Sequence, residues 1–337
     1  MNRTCLLFTA PHQVEVVKET LPPLTSNQVR VETILSTVSS GTETMIYRGE
    51  FPAGDELDMS ISSLSGKFQY PFQYGYSTVG RVIDVGSLVD QSWLGITVFS
   101  FQPHSSHFNA TVNELIVVPD DLLFEQAVFL ANMETAVNLV LDGTPLIGED
   151  VLVFGQGLVG LFATSLLSSF PLNNLITLDC YPNRRTLSLE TGATASFDPT
   201  EPGASEAVKS IIPNGADLAY ELSGNPKALN QAIAMSRFSG RVVIGSWYGR
   251  KAASLELGGR FHRNRIHLVS SQVSTFEPLL SGRWDKPRRY QIAWDSIRKV
   301  DPSRFITHRF HIGDAQQAYR LLDRKPGEAL GIVFSYQ

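Results

Sequence analysis

The chain has 337 residues and only two cysteines, Cys5 and Cys180, far apart in sequence. That scarcity excludes a disulfide scaffold and any structural zinc site assembled from thiolates. Charge of one sign is equally scarce: 28 Lys and Arg stand against 33 Asp and Glu, a net charge of −5. No basic surface for nucleic acid is expected from that balance. Met1-Asn2-Arg3-Thr4-Cys5 lacks the basic flank, apolar stretch and small-residue cleavage site of a secretory leader, so a cytoplasmic location is expected. Long hydrophobic runs are missing but for Val151 to Leu178, and there Gly155, Gly157, Gly160 and Pro171 break the run into strand, helix and strand. No membrane partner is expected, and neither a solenoid repeat nor a low-complexity segment is present.

What is there is an ordinary globular composition, 43% hydrophobic and 18% charged, in a chain long enough for two domains with cores of their own. The most informative stretch is Leu152-Val153-Phe154-Gly155-Gln156-Gly157-Leu158-Val159-Gly160, a charge-free strand running into Gly-x-Gly-x-x-Gly and an apolar helical pattern. Each glycine has a separate physical reason. Gly155 permits the tight turn, Gly157 lets main-chain N–H groups approach a pyrophosphate, and Gly160 lets the helix pack closely on its strand. The helix N-terminus then presents unpaired donors and partial positive charge to phosphates. Asn174 to Leu178 reads as the next buried strand, and it ends at Asp179, where a carboxylate can hold ribose hydroxyls. Asp179 repels a 2′-phosphate and favours NAD over NADP, whereas Arg184 and Arg185 would welcome that phosphate.

From Met1 to about Leu122 the pattern is of short strands and turns; Val29, Val31 and Thr33 alternate with Arg30 and Glu32. Between Phe51 and Gln73 periodicity is lost, which predicts either a substrate-facing lid or a mobile surface excursion. Gln126 to Leu141 has helical spacing and leads into the glycine loop. Thereafter helices and strands alternate to a last strand at about Ile266 to Ser270, which predicts a six-stranded, doubly wound parallel sheet with helices on both faces. The tail from Pro278 mixes a basic, aromatic stretch with a helix near Ala315 to Asp323 and a strand Leu330 to Phe334. The expected division is an α/β chain with a β-rich domain over 1–130, completed by 270–337, and a Rossmann dinucleotide-binding domain over 131–269.

This order, with Ser40-Gly41-Thr42-Glu43, Tyr47-Arg48-Gly49 and Gly75-Tyr76-Ser77-Thr78-Val79-Gly80-Arg81-Val82, resembles the medium-chain dehydrogenase/reductase family with its GroES-like catalytic domain. Within it the motifs are most similar to the bacteriochlorophyllide 1-hydroxyethyl dehydrogenase-like group. The zinc-dependent members carry Cys-Gly-Thr/Ser-Asp and Gly-His-Glu; here Ser40 replaces the Cys, Tyr76 the His and Ser77 the Glu. The third ligand would fall at Ala131 or Asn132. None of these is a zinc ligand, so no zinc is expected. A competing metal site is His104-Ser105-Ser106-His107 with Glu43 or Glu134 nearby, set against solvated or hydrogen-bonded imidazoles.

The resemblance implies hydride transfer on a nicotinamide, with the protein managing one proton and one developing oxyanion. Without zinc, hydrogen-bond donors take the second task. Thr42 falls where relatives relay a proton; alternatively Thr42 and Ser40 satisfy a turn. Glu43 and Glu134 are candidate acid–base groups or structural hydrogen-bonding residues, and Tyr76 is a donor to a carbonyl oxygen or a packing residue. Arg184 and Thr135 are placed with the cofactor-binding residues, as are Ser246, Trp247, Ser270 and Ser271, at strand ends where such sheets bind ligands. Phe68, Tyr70, Phe72, Tyr74 and Tyr76, with Arg283, Arg288 and Arg289, suit a flat, anionic substrate, or a packed strand face and a solvated basic stretch. The expected function is a zinc-independent, NAD-preferring interconversion of a secondary alcohol and a ketone. Reduction of a conjugated C=C bond is a second enzymatic reading, and a nucleotide-binding redox sensor or assembly partner a third. A homodimer through edge strands of the cofactor domain is implied by the resemblance.

Overall fold

Alternation sets the first unit. In the strand Gln28–Thr37 the side chains of Val29, Val31, Thr33 and Leu35 turn inward while their neighbours stay half-exposed, the period-2 signature read from the sequence. The computed structural model describes residues 1–58 and 60–336. It divides into two units: Met1–Ala131 with the segment from Asp301 onward, and Asn132–Val300.

In chain order the first unit begins with β1 (Asn2–Ala10) and β2 (Gln13–Thr20), an antiparallel ribbon. β3 (Gln28–Thr37), α1 (Ser40–Arg48), β4 (Thr78–Val85), β5 (Thr97–Ser100), β6 (His107–Thr111), β7 (Leu115–Val117) and α2 (Phe124–Ala127) follow. α3 (Leu130–Gly143) carries the chain into the second unit. There stand β8 (Asp150–Phe154), α4 (Leu158–Leu167), β9 (Asn174–Leu178), α5 (Pro182–Glu190), β10 (Ala195–Phe197), α6 (Ala204–Ile211), β11 (Ala216–Glu221), α7 (Pro226–Met235), β12 (Ser236–Ile244), β13 (His267–Ser270) and α8 (Lys286–Val300). β14 (Ile306–His311), α9 (Ala315–Arg324) and β15 (Gly331–Ser335) return to the first unit.

The second unit is the six-stranded parallel sheet that the alternation predicts, in the order β10-β9-β8-β11-β12-β13. Its inner strands β9, β8 and β11 are buried on both faces. Leu152, Phe154, Ile176, Ala219 and Val242 enter one core cluster, and Val151, Val153, Leu175, Leu218 and Val243 the other, which is why these strands read as continuous apolar runs. The strand order reverses between β8 and β11, the crevice position where open sheets of this kind take ligands. In the first unit a seven-stranded sheet runs β14-β15-β3-β4-β5-β7, with β6 paired to β3.

Three expectations differ from the structure. The connector helix over Gln126 to Leu141 is two helices, α2 and α3, because the chain tightens into a turn at Phe129, whose N–H donates to Gln126 O. The return to the first unit falls at Asp301, not 270. Residues 286–300 form α8, whose buried face is Arg289, Ala293, Trp294, Ser296, Ile297 and Val300; a charged residue at the head of that face disguised its periodicity. The stretch from Phe51 to Gln73, apart from Met59, which lies outside the described residues, is held to the core. Phe51, Leu57, Leu64 and Phe68 are buried in one cluster, Leu57 and Phe68 close a small hairpin through Gly66 O and Asp55 O, and Ser62 donates to Glu114 at 2.5 Å. Among the described residues no helix is long and apolar enough to cross a membrane.

Candidate cofactor cradle and catalytic residues

The glycine loop joins β8 to α4 as its sequence requires. Gly155 has φ +91°, and a Cβ there would meet Ser223 N and the Leu222 carbonyl at 2.7–2.8 Å. A Cβ on Gly160 would sit 2.0 Å from Gly155 O, so helix and loop pack too closely for any side chain. Around Gly157, by contrast, a Cβ would find nothing within 4 Å. Gly157 is the N-cap of α4 and brings no side-chain cap, so the positive end of the helix, with its first-turn N–H groups, begins beside that open space. Two closed glycine positions around one open one fit a pyrophosphate. Gln156 itself is buried; its side chain donates to Gly155 O at 3.2 Å and accepts from Thr164 Oγ1 at 3.0 Å, stiffening the loop.

Asp179, at the end of β9, is nearly buried and accepts from the main-chain N–H groups of Gln156 (2.7 Å) and Tyr181 (2.8 Å). A carboxylate has about four acceptor sites, so two remain for ribose hydroxyls. Arg185 donates to Asp198 (3.1 Å) and to Asp179 O (2.9 Å), and the Arg184 guanidinium lies 4.7 Å from the centre of the Tyr181 ring. Thr135 is half-buried on α3, and Trp247 and Ser270 are exposed at strand ends.

Two serines expected at the cofactor are otherwise engaged. The Ser246 hydroxyl accepts from Gly224 N–H (2.8 Å) and donates to Glu221 O (3.3 Å), tying the loop after β12 to that after β11. The Ser271 hydroxyl donates to Asp142 at 2.6 Å. Glu221 escaped the sequence reading: it is buried at the end of β11 and gathers Ser223 N–H, Ser223 Oγ, Gly224 N–H and Tyr248 OH.

Glu134 is a correction. Its Oε1 takes both Nε (3.0 Å) and Nη2 (2.7 Å) of Arg289, a guanidinium wholly removed from solvent that also donates to Asn138 Oδ1 (2.7 Å) and Val273 O (2.6 Å). Burial pushes the Glu134 carboxyl up and the guanidinium pulls it back. The carboxylate neutralises a buried cation, which favours the structural hydrogen-bonding role over acid–base work. Arg288 lies over Trp284 and donates to Arg283 O. Arg288 and Arg289, expected at an anionic substrate, thus serve the fold of 273–289.

In the first unit Ser40, Thr42 and Glu43 lie on the first turn of α1. The Tyr76 hydroxyl donates to Thr42 Oγ1 at 3.5 Å and makes a shorter hydrogen bond with the hydroxyl of Ser39. Ser39 was not singled out from the sequence, where it stands one residue ahead of the motif. Burial pushes the Tyr76 phenol up, the hydroxyls of Ser39 and Thr42 oppose this, and the Glu43 charge adds to it, so the phenol stays a donor. Phe68, Phe72 and Tyr74 are core residues, stacked in a chain that starts with Phe51 on Phe68 (4.9 Å) and ends with Tyr74 on Tyr76 (6.0 Å). Of the five alternating aromatics only Tyr70 and Tyr76 remain half-exposed, so packing accounts for the row.

Where zinc ligands would project stand Ser40, Tyr76 and Ser77, and Ser77 donates to Val128 O at 2.5 Å. Neutral hydroxyls are not the thiolate, imidazole and carboxylate set that zinc takes, and the residues present do not fit that ion. The histidines expected as a competing pair diverge: His104 bonds Glu43 and Ser36, while His107 contacts Ser106 and Glu32. Among the described residues no group of three or more His, Cys, Asp or Glu converges.

A GroES-like unit interrupted by a six-stranded Rossmann unit defines the medium-chain dehydrogenase/reductase fold. Residues 159–285 match the model of the zinc-binding dehydrogenase family. D-guloside 3-dehydrogenase of Escherichia coli K12 is 24% identical over 311 residues, 87% of each chain. The short chain alcohol dehydrogenase (rspB) of E. coli CFT073, solved with NADH, superposes with a TM-score of 0.81 at 17% identity and 99% coverage of both chains. A putative zinc-binding dehydrogenase of Sinorhizobium meliloti 1021 bound to NADP gives 0.78 at 16% identity, again with 99% of both.

Proposed function

We propose that the protein is an NAD-preferring oxidoreductase that interconverts a secondary alcohol and its ketone without a catalytic zinc. The observation that carries this reading is the hydroxyl cluster of Ser39, Thr42 and Tyr76, in which Tyr76 stands at the motif position of a metal-ligand histidine in zinc-dependent relatives and Thr42 at that of their proton-relay hydroxyl. The dehydrogenase names of the relatives, one of them acting at the 3-position of a guloside, support a secondary alcohol of sugar or polyol type. The residues of the glycine loop and Asp179 would hold the dinucleotide, which when bound supplies the hydride acceptor or donor.

The chain's own part is the proton. In the reductive direction the Tyr76 phenol donates to the carbonyl oxygen and refills from Ser39 or Thr42. In the oxidative direction the same hydroxyls take the alcohol proton on its way to solvent, since each both donates and accepts. Such donors placed at a developing oxyanion are worth on the order of 10²–10³ in rate. Asp179 and the engagement of Arg185 with Asp198 support NAD over NADP.

Fluorescence titration with NADH and NADPH, followed by a panel of polyols, glycosides and their ketones, tests the proposal. NADH is expected to bind at least about tenfold more tightly, a difference of about 1.4 kcal/mol, and Thr42→Val to slow turnover about a hundredfold. Equal turnover by Thr42→Val would refute the relay. Deuterium from labelled cofactor on a carbon beta to a carbonyl would assign alkene reduction instead, and binding without turnover of any alcohol or carbonyl would assign a sensor.

A further inference from the structure

Glu43 is fully buried, yet it is a carboxylate with every oxygen engaged. Oε1 accepts the Ser39 main-chain N–H at 2.7 Å; Oε2 accepts the Tyr319 hydroxyl at 2.5 Å and faces His104 Nε2 at 3.0 Å. His104 is also fully buried, and its Nδ1 lies 2.7 Å from Ser36 Oγ, which lies 2.7 Å from the Tyr336 hydroxyl. One consistent order of protons satisfies the set: Tyr336 donates to Ser36, Ser36 to Nδ1, and Nε2–H to Glu43. Burial pushes both phenols up, so both remain donors.

This network is an expensive way to fill a core. A buried charge is no more stabilising than apolar side chains of the same volume, so the arrangement needs another reason. Ser39 supplies it. As N-cap of α1 it would ordinarily turn its hydroxyl to the N–H groups of the first turn, but it makes no such bond. Its hydroxyl goes to Tyr76 and its N–H goes to Glu43. A local rule is broken at the point where the catalytic hydroxyls meet, which is where such breaks are expected. The imidazole of His104 occupies space that only glycine leaves at position 75: a Cβ there would lie 2.8 Å from the ring, at φ +120°. Gly75 immediately precedes Tyr76, so the same ring that holds Glu43 also lies against the backbone that delivers the phenol.

We propose that Glu43 and His104 form a buried positioning pair, which holds Ser39 so that its hydroxyl fixes Tyr76 beside Thr42 for proton transfer to the substrate oxygen. The inference rests on the alcohol–ketone reading above. Glu43 touches neither substrate nor the reacting hydroxyls; it acts through Ser39. An error of about 1 Å in such a group costs on the order of a hundredfold in rate.

The test compares Glu43→Gln, Ser39→Ala and the double variant in ketone reduction, with folding followed by near-UV circular dichroism. Each single change is expected to lower kcat 30–100-fold at nearly unchanged KM, and the double to fall within about threefold of the worse single, because both break one chain of contacts. Multiplying losses, or singles within threefold of the unaltered protein, would overturn the pair. A second measurement needs no turnover: in protein labelled with 13Cζ-tyrosine, the Tyr76 resonance, identified through Tyr76→Phe, is expected to shift in Glu43→Gln and His104→Gln. An unmoved resonance overturns the proposal. Failure of the unaltered protein to reduce any ketone would instead refute the alcohol–ketone reading, with the tyrosine signal still deciding whether the pair holds Ser39. Should Glu43→Gln not fold, Tyr319→Phe removes one donor and no packing. It is expected to shift the Tyr76 signal and slow kcat several-fold, and no change in either overturns the pair.

Discussion

Among the described residues Glu134 is the one carboxylate that hydrogen-bonds the wholly buried Arg289 guanidinium, and Glu134→Ala removes it. Arg289 would keep Asn138 Oδ1, Val273 O and the face of Phe276 at 4.2 Å, but all three are neutral, and the positive charge would stand uncompensated. Breaking a buried pair in this way costs about 3–5 kcal/mol. In a unit the size of Asn132–Val300 each kcal/mol lowers the melting temperature by about 2–4 °C, so the midpoint should fall by about 6–20 °C. Glu134→Gln keeps an acceptor for Nε–H and Nη2–H and should lie at the lower end. Replacing both partners by methionine should recover most of the loss, because a buried ion pair exchanged for apolar bulk is often neutral. Thermal and urea denaturation of the four proteins measures this. A Glu134→Ala variant within 1 kcal/mol of the unaltered protein would refute the reasoning, as would a Glu134→Gln variant that loses turnover at unchanged stability, the signature of an acid–base group.

Gly160→Ala drives a Cβ to 2.0 Å from Gly155 O and should weaken NADH binding more than about tenfold by displacing the loop, readable by fluorescence titration. Tyr76→Phe keeps the ring and should cost about a hundredfold in kcat for ketone reduction. Because burial holds that phenol above its ordinary value of 10.0, the pH profile of the unaltered protein should show no loss below pH 10 from its ionisation. Glu114 is partly buried, but Ser62 and Thr111 hold its carboxyl below the ordinary 4.5. It therefore stabilises the fold above that pH and loses its contribution as pH falls through the depressed value. Hydrogen exchange at 60–66 should accelerate in that acid window, and Glu114→Gln should abolish the pH dependence.

The second unit was legible because its determinants are local. Turn, cradle and helix are set by three glycines within six residues, and strands buried on both faces announce themselves as apolar runs. α8 was missed because its buried face begins with Arg289, which reads as surface until Glu134 is seen beside it. The candidate catalytic residues stood out as motifs but not as an arrangement. Thr42, Glu43 and Tyr76 were chosen for their chemistry, yet the partners that decide their roles lie far along the chain: His104 is 61 positions and Tyr319 276 positions from Glu43. His104 was set near Glu43 only as a competing metal ligand, and nothing in the sequence joined Tyr319 to it. Ser246 and Ser271 were assigned from their place after a strand, which fixes where a residue is but not which way its hydroxyl turns.

The order of the sheet in the first unit also sets an order of events during synthesis. β15 lies in the interior of that sheet, between β14 and β3, with Val333, Phe334 and Ser335 paired to Thr37, Ser36 and Leu35. β3 must therefore wait for a strand made after the whole of the second unit. The residues of the second unit all emerge in the interval, and domains generally fold as they are made. Through that interval the Leu35–Thr37 end of β3 offers unpaired main-chain groups to any chaperone or neighbouring nascent chain. Loss of β15 would not trim a margin of the sheet; it would leave that end of β3 open permanently.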